Sequence, residues 1–84
     1  MEEKEIGTIT HYFGKIGVGI IALTDVLKLG DTIHIKGHTS DFSQRVDSLQ
    51  IEHQEVQEGK PGDQVGIKVN QRVHEHDKVY KVTE

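Results

Sequence analysis

The chain has 84 residues, 33% of them hydrophobic, no cysteine, and a formal net charge of −4. A single domain over residues 1–84 buries only somewhat more than about 60% of the surface that its unfolded chain exposes, which excludes a large internal cavity. The missing thiols exclude a disulfide framework and a thiolate metal site, and the acidic balance argues against broad, sequence-independent binding to nucleic acid.

Nine isoleucines and nine valines against four leucines and one alanine favour a pleated, half-buried surface, and nine glycines supply turns. Together they predict an all-β domain. Met1-Glu2-Glu3-Lys4-Glu5 is acidic and precedes no long apolar run. The expectation is a cytoplasmic protein with no signal peptide and no membrane span, frayed over residues 1–4.

In chain order, 5–13 reads as a first strand rich in β-formers, and Gly14-Lys15 as a turn. A second strand follows over 16–24, with Ile16, Val18, Ile20 and Ala22 on one face and Ile21 and Leu23 on the other, as in a strand partly covered on both sides. Leu27 to Gly37 alternates apolar and polar residues about Gly30-Asp31, which predicts two short strands meeting at a tight turn. The glycine takes positive φ there, and the aspartate accepts backbone N–H bonds just beyond it.

Residues 37–40 read as a polar loop, and 41–58 read two ways. Phe42, Val46, Leu49, His53 and Val56 have helical spacing, whereas Leu49, Ile51 and His53 alternate as in a strand, with a bulge near Asp47-Ser48 aligning Val46 with Leu49. Gly59-Lys60-Pro61-Gly62-Asp63 is a turn, with proline fixing φ and glycine taking positive φ. Val65, Ile67 and Val69 form another strand, 70–77 is polar, and 79–82 closes the chain, with no internal repeat.

Leu27-Lys28-Leu29-Gly30-Asp31 followed by Ile33-His34-Ile35, and Val46 to Val69 with its Pro-Gly-Asp-x-Val-Gly turn, resemble the second domain of elongation-factor GTPases. The two motifs cover about half of the chain, and the strand order extends the resemblance from Ile6 to Val82. It implies a small, closed six- or seven-stranded Greek-key β-barrel of the translation-protein type and favours the strand over 41–58. It also implies a stand-alone, non-enzymatic module that binds RNA or a ribonucleoprotein, with transfer RNA or the ribosome as partner. The alternative is a protein-interaction or assembly module that keeps the barrel without the RNA contacts. Gly14-Lys15-Ile16 lacks the spacing and hydroxyl of a phosphate loop, so no GTPase domain, nucleotide or other cofactor is expected.

Tyr12, Phe13, Lys15, Phe42 and Arg45 are the candidate RNA contacts, since rings beside cations suit stacked bases. A solvated charged face is the plainer reading of the cations, and a plug at the barrel end is the plainer reading of Phe42. His74-Glu75-His76 puts two imidazoles on one face if extended, but a structural zinc site wants four ligands. No Gly-x-Ser-x-Gly elbow or cysteine nucleophile is present, so no catalytic residue is expected.

Overall fold

Period-two alternation of β-branched residues makes this chain strands throughout. The computed structural model describes residues 2–83, and among these there is no helix. The strands are β1 (Glu2–Phe13), β2 (Val18–Leu23), β3 (Leu27–Lys28), β4 (Thr32–Lys36), β5 (Asp41–Arg45), β6 (Gln50–Ile51), β7 (Gln54–Glu55), β8 (Glu58–Gly59), β9 (Gln64–Lys68) and β10 (Lys78–Thr83). Eight of them form one sheet in the order β5-β4-β10-β1-β2-β9-β6-β7, and β3 pairs with β8. Every pairing is antiparallel. Since no helix is present among the described residues, none is long and apolar enough to cross a membrane.

The inward residues make one aliphatic core. Ile33 and Ile35 of β4, Ile21 of β2, Val65 and Ile67 of β9, and Val79 of β10 are fully buried, while their strand neighbours Thr32, Lys36, Gln64, Lys68 and Lys78 are exposed. The long β1 serves two neighbours by shifting register between Glu5 and Gly7 against β10, and between Ile9 and His11 against β2. Such bulges bend a strand. They bring Ile6 and Ile9, three positions apart, into the same core.

Several expectations change on contact with the structure. Of the terminus expected to fray, Glu2, Glu3 and Lys4 ladder with Thr83, Val82 and Lys81, and Met1 lies outside the described residues. The first turn spans residues 14–17, closed by the Gly17 N–H on the Phe13 carbonyl at 2.9 Å. In β2 the buried face is Gly19, Ile21 and Leu23, so Ile16, Val18, Ile20 and Ala22 look outward. Gly19 is the inward member because a side chain would meet Val73, Val69 and Ile9 at 3.2–3.7 Å. Over 41–58 there is no helix: β5 gives way to an irregular stretch at 46–49 that buries both Val46 and Leu49, then to the β6–β7 hairpin.

One turn is used three times. At 28–31, 60–63 and 74–77 an aspartate carboxylate accepts the N–H of the residue three positions back, at 2.9 Å each time. The aspartate N–H returns a bond to the same residue's carbonyl at 3.0–3.2 Å. The third residue of each turn has positive φ: Gly30 at 89°, Gly62 at 93° and His76 at 74°. Each aspartate is followed directly by a strand, β4, β9 or β10. The carboxylate reaches back to the turn's first residue, not forward as the residues suggested. Because an L side chain resists the left-handed region, His76→Gly should raise stability by about 0.5–1 kcal/mol, read as a higher urea midpoint at unchanged m-value. A lower midpoint would show that the imidazole does more at this turn than occupy it.

Candidate functional site

The outward side of β2 is apolar and incompletely covered. Phe13 and Ile16 are 50% and 62% exposed, and they are contiguous with further apolar residues on this side, which is what marks an interaction surface. With Val18 and Ile20 they form one wall of a groove of about 740 Å³. Its floor is Gly66 of β9, where an added Cβ would stand 3.4 Å from both Ile20 and Val18. The other wall is the β6–β7 hairpin, with Gln50, Ile51, Glu52 and His53, and the turn residues Gly62 and Asp63 also line the space. The groove opens here because the hairpin meets β9 at a single pair, Gln50 opposite Gly66.

The hairpin tip is strained. Glu52 and His53 lie at φ 52° and 66°. Two consecutive left-handed residues are what a two-residue hairpin turn of the favoured twist demands, and Asn-Gly is the usual solution. Non-glycine residues there cost of order 1–3 kcal/mol each, and such strain concentrates at functional positions. Both side chains line the groove. Lys and Arg are absent from the lining, whereas Glu52 and Asp63 belong to it.

Of the residues singled out from sequence, only Phe13 lines the groove. Its ring centroid is 6.4 Å from that of His11. Tyr12 is half-buried and packs against the core, and Phe42 is a core member at 9% exposure. Lys15 is exposed in the first turn, and Arg45 is exposed at the end of β5 with its Nε 3.7 Å from Asp47. The five do not form one surface. Ile16, Val18, Ile20 and Ile51 were missed as site residues because apolar residues are read first as core; the signal was that both faces of 16–23 are apolar. His74-Glu75-His76 is part of a turn, so the shared face of two imidazoles does not arise.

On another part of the surface His34 is held between two carboxylates. Its Nδ1 is 2.9 Å from Glu3 Oε1, and its Nε2 makes a short contact with Asp41 Oδ1. Asp41 and then Glu3 raise the imidazole above its ordinary 6.5, and the same imidazole holds the Asp41 carboxyl below its ordinary range. A raised folded value means the stabilisation is complete below the unfolded value of 6.5 and is lost as pH rises through the folded one. Thermal melts should therefore fall across this alkaline step in the parent and be flatter in His34→Gln. A parent curve as flat as the variant's would show that the pair does not contribute.

No family model matches the chain. It is 42% identical over 81 residues to an uncharacterized protease of Methanocaldococcus jannaschii, covering 95% of this chain and 20% of that protein. To a collagenase of Porphyromonas gingivalis it is 31% identical over 82 residues, covering 95% of this chain and 23% of that protein. The chain thus spans about a fifth of the length of the curated relatives it matches. Crystal structures of the C-terminal domain of a Geobacillus thermoleovorans protein described as a U32 peptidase superpose at TM-scores of 0.87 and 0.86, with 18% identity. The first match covers 93% of this chain and 91% of that domain, and the likeness shows the fold.

These findings overturn the resemblance to the second domain of elongation factors and, with it, the translation, ribosome and RNA-binding reading: the sequence relatives are named as proteases. They also overturn the expectation of a non-enzymatic protein, because the two relatives are named as a protease and a collagenase. The misleading motifs have a physical explanation. Leu-Gly-Asp and Pro-Gly-Asp are the strand-starting turn used three times here, and any β domain that enters strands this way can carry them.

Proposed function

We propose that this chain is a module of a protease-family protein and that its task there is to hold polypeptide for proteolysis. The observation that carries this is the 42% identity with the M. jannaschii protease across 95% of the chain. An apolar groove with a polar rim is the surface that suits such a task. Deleting the matching segment from the P. gingivalis collagenase should raise KM for gelatin while changing kcat little, because uniform binding is what such a module adds. Gelatin turnover with both constants unchanged would overturn the reading.

We infer also that the platform behind the groove is a closed six-stranded Greek-key barrel. Residues 41–51 run from β5, paired with β4 at one end of the sheet order, to β6, paired with β9 next to the other end, and so join the two sides as one bent strand. The seam between is carried by side chains. The Gln44 amide donates to the Lys68 carbonyl at 2.8 Å and accepts the Asn70 N–H at 2.7 Å, and Ser48 Oγ accepts the Lys68 N–H at 3.2 Å. Gln44 is 7% exposed. Gln44→Ala should therefore cost about 1–3 kcal/mol for the groups it strands, measured by urea unfolding. No loss would mean that the seam is held otherwise.

A further inference from the structure

We propose that the groove takes an extended polypeptide segment whose apolar side chains are flanked by lysine or arginine. This rests on the protease-module reading and adds the chemistry of the occupant. The walls select apolar side chains: Ile16 and Phe13 are two of only three exposed large hydrophobic residues among those described. The floor favours a close, extended strand of chain, because Gly66 presents bare backbone between Val18 and Ile20, each 3.4 Å from where its Cβ would stand. The rim selects charge. Glu52 from the hairpin and Asp63 from the turn are the lining's formal charges at neutral pH, and no ammonium or guanidinium accompanies them. A phosphate backbone would meet two carboxylates there, whereas a basic side chain meets its complement. The left-handed Glu52-His53 pair fixes the rim that makes this choice.

The test uses the 84-residue chain and three fluorescein-labelled probes: a short valine, leucine and proline peptide with lysine pairs at its ends, the same peptide with glutamate pairs, and a short oligouridine. Anisotropy should rise with the lysine-flanked peptide alone at physiological salt. Ile16→Ser, at an exposed position that leaves the melting curve unchanged, should weaken that binding about tenfold or more. Glu52→Gln should narrow the gap between the two peptides without touching the apolar contribution. Equal binding of both peptides, a preference for the oligouridine, no binding of any probe, or an affinity indifferent to Ile16→Ser would each overturn the proposal. None of these outcomes bears on the gelatin KM of the truncated collagenase, so the two readings fail separately.

Discussion

Phe42→Ala should lower the free energy of unfolding by about 3–5 kcal/mol, a large share of the roughly 4–13 kcal/mol that a domain of this size holds. The ring projects inward from β5, an end strand of the sheet order, and belongs to the single aliphatic core. Its β5 neighbours Ser43 and Arg45 point out to solvent. Removing it opens a void in that core, and β5, paired with β4 along its whole length, cannot move in to fill it. A melting temperature within a degree or so of the parent would show that the ring is dispensable to the core and free to act as a contact.

The second large effect is expected at a glycine with ordinary backbone angles. At Gly7 an added Cβ would fall 2.6 Å from Ile21 Cγ2 and 2.7 Å from the Ala22 carbonyl oxygen. The oxygen belongs to the β2 backbone, which cannot swing aside as a side-chain end can. Gly7→Ala should thus force β1 and β2 apart where Gly7 stands opposite Leu23 and cost about 2–3 kcal/mol. Gly62→Ala gives the contrast: nothing lies within 4 Å of its Cβ position, so only the left-handed strain of about 1–2 kcal/mol remains. Urea midpoints for the two variants decide the matter, and a Gly7→Ala loss no greater than that of Gly62→Ala would show that β2 yields easily.

The strands were legible where one face is apolar and the other polar, as at Ile33-His34-Ile35 and Val65-Gly66-Ile67, and the turns were legible wherever Gly-Asp stands before such a strand. The third turn hid because His76 replaces the glycine, and so the repeat of the device went unseen. At 16–23 alternation could not say which apolar face is inside. Ile21 and Leu23 lie inside with Gly19, and Ile16, Val18 and Ile20 lie outward around the groove. The groove itself was illegible for a different reason: it depends on where the ladder between β6 and β9 stops, a property of three segments distant in sequence. Short motifs carry turn chemistry, and turn chemistry is shared among unrelated sheets; the likeness to elongation factors arose there.

The ladder between β1 and β10 has a mechanical consequence. Glu2 stands opposite Thr83, so both ends of the described chain leave the domain side by side at one end of the same antiparallel pair. A force that pulls those ends apart bears on the first rung alone, then on the next, through Lys4 opposite Lys81 and Glu5 opposite Tyr80. Bonds loaded one after another give way at far lower tension than bonds sheared together. Drawn from both ends, the domain unzips from its terminal strands inward, losing first the Thr83 hydroxyl bond to the Glu2 carbonyl and next the Glu3 tie to His34.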